Sequence, residues 1–309
     1  MTPILVITHL PDRHLAQARE RYEIIYAPDR ESRAKAVAEH GHRIRAALTI
    51  GSIGLTGEEI AAMPKLELIS ALGVGYELID LDAARARGIA LSNGAFTNDR
   101  TVADHAFALL LAIVRQIPLR DRTTRQGAWR TGVRPPPQVS GKRLGILGMG
   151  AIGGQIARRA AGFDLEVGYH NRRPRADSPH AYFDSPAALA AWCDYLIVAT
   201  PGGAGTRHLV DAEVLRALGP KGYLVNISRG SVVDGEALAA ALRDDAIAGA
   251  GIDVFDVEPP TPAILASLDK AVLSPHLAGS SPESQDAMVD RWLDNVARHF
   301  SGQPLTTPI

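Results

Sequence analysis

Three side chains that could carry acid–base chemistry follow three successive predicted strands in the second half of the chain. They are Arg229 in NISRGSVVD, Glu258 in GIDVFDVEPP and His276 in LSPHLAGSS. An arginine offers a permanently charged fork that holds a carboxylate and polarises a carbonyl. A histidine can give up a proton near neutral pH, and a neighbouring carboxylate stabilises its charged form and fixes its tautomer. The combination suits hydride transfer to a 2-keto acid. That reaction needs a group that binds the substrate, a proton donor and a residue that fixes the orientation of this donor.

Each of these residues also has a purely structural explanation. Arg229 and Glu258 could form an ion pair, and His276, which follows Pro275, could be a hydrogen-bonded loop histidine. Three successive strand ends favour a shared site, because ligands of a doubly wound sheet bind beyond the carboxyl ends of its strands. We therefore expect the three side chains to converge at one edge of the sheet.

A glycine-rich turn follows the first predicted strand of the same sheet, in KRLGILGMGAIG. A short apolar run precedes this turn and a helix-forming stretch follows it, which is the context of a dinucleotide site. Gly148 would allow the tight turn, Gly150 the approach of a pyrophosphate, and Gly153 the close packing of helix on strand. Free N–H groups at the helix start favour the anion. We predict cofactor contacts from Gly148, Met149, Gly150, Ala151, Ile152 and Gly153.

The end of the next predicted strand, VGYHNRR, indicates which dinucleotide binds. NAD enzymes place Asp or Glu about twenty residues beyond the glycines, whereas an arginine accommodates the 2′-phosphate of NADP. No acid occupies His170 or Asn171, and Arg172 and Arg173 follow. We predict NADP(H) in preference to NAD(H), held by Asn171, Arg172 and Arg173. The alternative is a solvated basic turn. A reduced, phosphorylated cofactor would favour reduction of the substrate.

Alternating apolar runs and helical stretches predict an α/β protein of two domains. Five short apolar runs in the first third predict a small parallel sheet, and six later runs predict a doubly wound sheet. We expect a substrate-binding domain with a flavodoxin-like fold, formed by residues 1–97 plus 281–309. Residues 98–280 are expected to form a Rossmann dinucleotide-binding domain.

A long helix is predicted from Thr97, ending at Pro118, because apolar residues repeat there at three and four positions. A polar, proline-rich segment with Trp129 follows, from Arg120 to Ser140. Such a length suits an arm that packs in a specific place, although composition alone fits a loose surface loop equally well.

Composition and charge exclude several classes of partner. The 33 basic and 34 acidic residues nearly balance, so neither a nucleic acid nor an anionic membrane is expected. The apolar run Ile4–Ile7 is too short for a signal peptide or a membrane span, so we expect a soluble, cytoplasmic protein. Cys193 is the only cysteine, which excludes an internal disulfide and a cysteine-cluster metal site. We predict no metal and an inert core thiol rather than a nucleophile.

The three strand-end motifs and GMGAIG together resemble the D-isomer-specific 2-hydroxyacid dehydrogenases, particularly their glyoxylate and hydroxypyruvate reductase branch. The resemblance extends to ALGVGYELIDLDAARARGI and NDRTVADHAFALLLA, and so covers nearly the whole chain. It implies that Arg229 binds the substrate, that His276 is the acid/base, and that Glu258 is the carboxylate partner of this histidine.

The resemblance also implies further contacts. Val74 and Gly75 would hold the substrate carboxylate through backbone N–H groups, where the residues alone show only a tight turn able to bind an anion. Asp253 would reach the nicotinamide amide, although a buried aspartate after a strand could equally cap a turn. The remaining cofactor contacts implied in this way are Thr101, Pro201, Thr206, Ile227, Ser228 and Gly279.

The sequence therefore predicts an NADPH-dependent enzyme that reduces small 2-keto acids, such as glyoxylate or hydroxypyruvate, to D-2-hydroxy acids. Alternatives are NAD-dependent oxidation of a larger 2-hydroxy acid, or a cofactor-sensing binding protein similar to the C-terminal-binding corepressors. Glu258 argues against a formate-type dehydrogenase. By analogy with similar reductases we expect a homodimer, in which Trp129 either enters the cleft of the neighbouring subunit and restricts the pocket to small acids, or simply packs.

Overall fold

The structure is a computed structural model that describes residues 1–258, 263–266 and 268–309. It comprises two compact units: a first unit of residues 1–98 with 280–309, and a second unit of residues 99–279. These limits differ by one residue from the expected domain boundaries. The substrate-binding and dinucleotide-binding roles assigned to the two units stay a prediction.

The described residues form twelve strands in two sheets. The strands of the first unit are β1 (Pro3–Val6), β2 (Glu23–Tyr26), β3 (Ala46–Thr49), β4 (Leu68–Ala71) and β5 (Ala90–Ser92). Those of the second unit are β6 (Arg143–Leu147), β7 (Glu166–His170), β8 (Ala181–Tyr182), β9 (Tyr195–Val198), β10 (Tyr223–Asn226), β11 (Gly249–Ile252) and β12 (Ala271–Leu273).

Helices connect most of these strands. They are α1 (Asp12–Arg19), α2 (Arg30–His40), α3 (Gly57–Ala62), α4 (Leu81–Ala86), α5 (Asp99–Val114), α6 (Ile117–Arg125), α7 (Ala151–Ala160), α8 (Pro186–Trp192), α9 (Ala212–Leu218), α10 (Gly235–Arg243), α11 (Ala263–Ala266) and α12 (Pro282–Phe300).

The first unit has a five-stranded parallel sheet in the order β2-β1-β3-β4-β5. This is the flavodoxin-like order, so the predicted fold is confirmed. The central strands β3 and β4 are buried at every position, as their apolar runs predict for strands covered on both faces. Helix α12 contributes Trp292 and Val296 to the core on one face of this sheet.

Side-chain caps define where helices of the first unit begin. Ser281 caps α12 with a capping box, and Pro282 takes the first helical position, as the sequence predicts. The sequence did not indicate α3, which has only six residues. It is fixed by the reciprocal capping box of Thr56 and Glu59 rather than by an apolar period.

The second unit has a seven-stranded parallel sheet in the order β12-β11-β10-β9-β6-β7-β8. The order is that of a Rossmann fold with an added strand, which confirms the predicted doubly wound sheet. One strand more is present than predicted, because β8 has two residues and leaves no apolar pattern. Helices α5 and α7 pack on one face through Leu110, Ile113 and Ile156.

The expectation that one helix runs to Pro118 is wrong. Helix α5 ends at Val114, and Gln116 takes a left-handed conformation with φ 55° and ψ 34°. Pro118 then lies in the first turn of α6, where its missing N–H removes no helical hydrogen bond. The proline therefore lies at the start of a second helix, which extends into the predicted polar segment.

Two further expectations concern membranes and Cys193. Within the described ranges no single helix is long and apolar enough to cross a membrane, and only α5 and α6 taken as a pair, bent by 57°, meet those two criteria. Cys193 is buried, and burial raises the pKa of its thiol to about 12. The thiol is therefore protonated at neutral pH, as an inert core cysteine would be.

Candidate active site

The glycine-rich turn joins β6 to α7 at the point where the strand order of the second sheet reverses. Gly148 has φ 104°, a conformation that favours glycine, and a Cβ there would lie 2.8 Å from the carbonyl carbon of Ala199. A Cβ on Gly153 would lie 2.1 Å from the carbonyl oxygen of Gly148. By contrast, a Cβ on Gly150 would meet nothing within 4 Å. The turn and the close packing therefore need glycine, and Gly150 leaves space beside the backbone.

The amino end of α7 can receive an anion. Gly150 is the N-cap and has no side chain to accept hydrogen bonds, and the first N–H satisfied within the helix is that of Gly154, at 2.9 Å from the carbonyl of Gly150. The N–H groups of the first turn point out of the helix end, where the dipole favours negative charge. Ala151, Ile152 and Gly153 thus fit the pyrophosphate of a dinucleotide.

The loop after β7 is hydrogen-bonded to the glycine-rich turn through Met149. Asn171 Oδ1 accepts the N–H of Met149 at 2.7 Å, and Arg175 Nη1 donates to the carbonyl of Met149 at 2.8 Å. Arg175 is also paired with Asp177 at 2.6 Å, and this hydrogen bond holds the pKa of the Asp177 carboxyl below its usual value. Arg175 was not among the predicted site residues, and its spacing of two from Asp177 was the available signal.

Arg172 and Arg173 lie on the same loop and are exposed. Neither makes a hydrogen bond or an ion pair with another residue in the part of the chain that the structure describes. Asn171, by contrast, uses its side-chain oxygen to hold Met149. The loop therefore presents two guanidinium groups next to the glycine-rich turn, which is a suitable arrangement for a phosphate.

His276 and Glu258 are in direct contact, as predicted. The distance from His276 Nδ1 to Glu258 Oε2 is 2.6 Å, and the other carboxylate oxygen accepts the N–H of Phe255 at 3.0 Å. A carboxylate can only accept here, so Nδ1 carries the hydrogen and donates it. The opposite ring nitrogen, Nε2, is left to exchange a proton with a substrate, and the imidazole is 39% exposed.

Asp253 lies beneath the histidine and has no solvent exposure. Its carboxylate accepts the N–H groups of Leu277 and Ala278, both at 2.9 Å. Burial alone would raise the pKa of Asp253, but the adjacent side chains of His105 and Ser274 and the N–H groups of Ala278 and Leu277 lower it overall. The turn-capping alternative is thus present in the structure. Contact with a nicotinamide stays a prediction.

Arg229 lies on the loop after β10, one strand from Glu258. Asn226, which is buried, donates from Nδ2 to the carbonyl of Arg229 at 3.1 Å and accepts the N–H of Ser228 at 3.1 Å. A Cβ on the next residue, Gly230, would lie 1.9 Å from the carbonyl carbon of Phe255, so the two loops are in close contact. Arg229 is therefore placed on a rigid turn that packs against the loop of Glu258.

The other predicted cofactor contacts occupy loops or helix starts of the second unit. Thr206 donates to the carbonyl of Pro201 at 2.8 Å, which closes the loop after β9. Ser228 donates to the carbonyl of Thr200 and joins the β9 and β10 loops. The remaining three are Thr101 in the first turn of α5, the buried Ile227 and the partly buried Gly279.

The predicted carboxylate-binding residues Val74 and Gly75 follow β4 in the first unit. Asn93 Nδ2 donates to the carbonyl of Val74 at 2.8 Å, and the N–H of Asn93 donates to Thr307 at 3.1 Å. Within the described ranges neither Val74 nor Gly75 finds an acceptor for its N–H. The loop thus presents two N–H groups on a fixed backbone, as an anion requires.

Two predictions of a different kind concern Trp129 and metals. Trp129 is 73% exposed, so it does not pack into the body of its own chain. Among the residues that the structure describes, no cluster of three or more His, Cys, Asp or Glu side chains could hold a metal ion.

Comparison with known proteins identifies the family. The model of the NAD-binding domain of D-isomer-specific 2-hydroxyacid dehydrogenases matches residues 107–278. The chain belongs to this family. The dehydrogenase is 41% identical to 2-ketogluconate reductase of Gluconobacter oxydans, over 86% of each chain. It is 39% identical to hydroxyphenylpyruvate reductase of Plectranthus scutellarioides, over 88% of each chain.

A solved structure gives the same result. The dehydrogenase superimposes with a TM-score of 0.91 and 38% identity on an NADPH-dependent glyoxylate/hydroxypyruvate reductase from Sinorhizobium meliloti, in complex with NADP and malonate. The match covers 100% of this chain and 96% of the other. The chain is therefore an NAD(P)-dependent 2-hydroxyacid dehydrogenase or 2-keto acid reductase.

Alanine substitutions at three glycines of α7 and its N-cap test the pyrophosphate site. We expect Gly153→Ala to lower the free energy of unfolding by about 1–3 kcal/mol, because its Cβ overlaps the carbonyl of Gly148. Gly150→Ala should leave stability nearly unchanged but weaken NADPH binding by about tenfold, since its Cβ enters the space for phosphate. Urea unfolding and fluorescence titration with NADPH measure the two effects.

Gly154→Ala is the matched control. A Cβ on Gly154 meets nothing within 4 Å, so this change should keep NADPH affinity and stabilise the helix by about 1 kcal/mol. Weaker NADPH binding in Gly154→Ala, or wild-type binding in Gly150→Ala, would show that the cofactor does not lie where the turn indicates.

Proposed function

We propose that the chain reduces small 2-keto acids to D-2-hydroxy acids with NADPH, and that His276 is the acid/base. The observation that carries this proposal is the contact between His276 Nδ1 and Glu258 Oε2 at 2.6 Å. This contact fixes the tautomer and directs Nε2 away from the carboxylate. An imidazole held in this way can protonate the oxygen of a carbonyl that accepts a hydride.

Other residues of the chain bind and orient the substrate. The guanidinium of Arg229 binds the keto acid and polarises its carbonyl, while the N–H groups of Val74 and Gly75 bind the carboxylate. Glu258 stabilises the charged imidazole of His276, and this imidazole then gives its proton to the substrate oxygen. When bound, NADPH supplies the hydride.

Preference for NADPH rests on the loop after β7. Arg172 and Arg173 are exposed and lie beside the glycine-rich turn, and no carboxylate occupies the position that would accept a ribose 2′-OH. Arg175 is already paired with Asp177, so it holds the loop while the other two arginines meet the phosphate. The similar reductase from Sinorhizobium meliloti is NADPH-dependent, which supports this preference.

Two observations favour small acids as substrates. They are the activity named for the similar reductase from Sinorhizobium meliloti and the exposure of Trp129. The Sinorhizobium meliloti protein is a glyoxylate/hydroxypyruvate reductase. The exposed Trp129 suits a homodimer, in which it enters the partner's cleft and limits the pocket. The relative named for hydroxyphenylpyruvate makes a larger aromatic keto acid the second candidate substrate.

Oxidation of NADPH and NADH with glyoxylate, hydroxypyruvate and phenylpyruvate tests the proposed function. We expect turnover with NADPH and one of the two small acids, because the site holds a carboxylate and protonates a carbonyl. Higher kcat/KM for phenylpyruvate would move the assignment to larger keto acids. Tight NADPH binding without turnover on any keto acid would reject the proposal in favour of a binding protein.

His276→Ala tests the acid/base assignment. We expect kcat to fall by about 10²–10⁴-fold, because no other group would protonate the alkoxide. The Kd for NADPH, measured by fluorescence, should stay within about threefold of wild type, since the imidazole gives its proton to the substrate rather than holding the cofactor. A variant that retains wild-type kcat would remove His276 from the mechanism.

The double substitution of Arg172 and Arg173 by glutamine tests the cofactor preference. We expect kcat/KM for NADPH to fall by about 10–100-fold, while the value for NADH changes by less than about threefold, because only NADPH carries the 2′-phosphate. Arg158→Gln is the control, since Arg158 is exposed at the far end of α7. Equal losses with both cofactors would show that neither arginine meets the phosphate.

A further inference from the structure

His276 has an unusual backbone conformation for a residue with a side chain. Its φ is 54°, in the left-handed region that favours glycine. The residue lies on an exposed loop after β12, where a relaxed chain would leave this conformation. Something in the surrounding structure must therefore hold His276 in place.

Asp253 takes up the backbone N–H groups of three consecutive residues of this loop. Its carbonyl oxygen accepts the N–H of His276 at 2.8 Å. Its carboxylate oxygens accept those of Leu277 and Ala278, at 2.9 Å each and one to each oxygen. A single residue thus determines the path of the loop through His276.

Asp253 is itself firmly anchored. It follows β11, its N–H donates to the carbonyl of Asn226 at 3.0 Å, and it has no solvent exposure. His105 of α5 places Nε2 at 3.3 Å from Oδ1, close enough to offset the buried negative charge when the imidazole is protonated. The backbone of the His276 loop is therefore fixed to a buried residue that directly follows β11.

The loop after β11, which contains Asp253, also holds the ring of His276. Phe255, two residues after Asp253, donates its N–H to Glu258, whose other oxygen accepts from the imidazole. Residues 253–258 thus fix the backbone of His276 at one end and the orientation of its ring at the other.

We propose that Asp253 is a positioning residue for His276: it holds three successive N–H groups and so imposes the left-handed backbone that presents the imidazole. This inference rests on the proposed role of His276 as acid/base. It differs from the expected contact of Asp253 with the nicotinamide, because a carboxylate that serves the loop acts on the proton donor and not on cofactor affinity.

Asp253→Asn tests the proposal. Asparagine keeps the shape but directs an NH₂ group at one of the two loop N–H groups that the carboxylate accepts. We expect kcat to fall by about 10²-fold through misplacement of the imidazole, with the Kd for NADPH within about threefold of wild type. Hydrogen–deuterium exchange of the peptide that contains residues 274–279 should become at least about tenfold faster in the free protein.

Asp211→Asn is the matched control. Asp211 caps α9 by accepting two adjacent N–H groups, those of Glu213 and Val214. This change removes the same charge from a comparable turn on another loop, so kcat and the exchange of residues 274–279 should not change. In a His276→Ala background, Asp253→Asn should cause no further loss of kcat, because its effect passes through the missing imidazole.

Three results would overturn the inference. In the wild-type protein, exchange of residues 276–278 at the rate of an unstructured chain would show that Asp253 does not hold these N–H groups, and this needs no variant. Wild-type kcat in Asp253→Asn would show that the loop does not depend on the carboxylate. NADPH affinity lost by more than about tenfold at normal kcat would make Asp253 a cofactor ligand instead. Absence of turnover in the wild type would reject the proposed function alone, because the exchange measurement still reports whether Asp253 holds the three N–H groups.

Discussion

In-register parallel pairing of β9 to β12 is the constraint on which the candidate site depends. Tyr223 of β10 pairs with Tyr195 of β9 and with Gly249 of β11, and Ala250 pairs with Ala271 of β12. Strands paired in this way leave the sheet at the same edge, so loops that are far apart in sequence become neighbours. Glu258 and His276, 18 residues apart, therefore meet at 2.6 Å.

Buried polar residues at these strand ends turn proximity into a fixed geometry. Asn226 and Asp253 are 1% and 0% exposed. Asn226 donates to the backbone of the loop after β10, and Asp253 accepts from the backbone of the loop after β12. A buried polar group without partners is unfavourable, so each of them strongly favours one loop conformation. The side chains assigned to chemistry, such as His276 and Arg172, remain accessible. Under the proposed function, the residues that anchor these loops are therefore different from the residues that carry the chemistry.

The sequence was sufficient to predict features that repeat or that need a special residue type. Fully buried strands such as β4 are visible in the sequence as apolar runs. The glycine-rich turn is visible because a side chain at position 148 or 153 would overlap the backbone. Some features that depend on tertiary contacts were not predicted. Helix α6 begins directly after a left-handed Gln116. The proposed role of Asp253 depends on N–H groups that lie 23 to 25 residues further along the chain. No local pattern records such contacts.

Met149 links the two halves of the predicted cofactor site. Its N–H is held by Asn171 and its carbonyl by Arg175, so the glycine-rich turn and the arginine loop cannot move independently. Under the proposed assignment, the first contacts the pyrophosphate and the second the 2′-phosphate. Asn171 and Arg175 are therefore part of the framework of both subsites, whereas Arg172 and Arg173 project from it. Cofactor preference can change at these two exposed arginines because the backbone that holds the pyrophosphate does not depend on them.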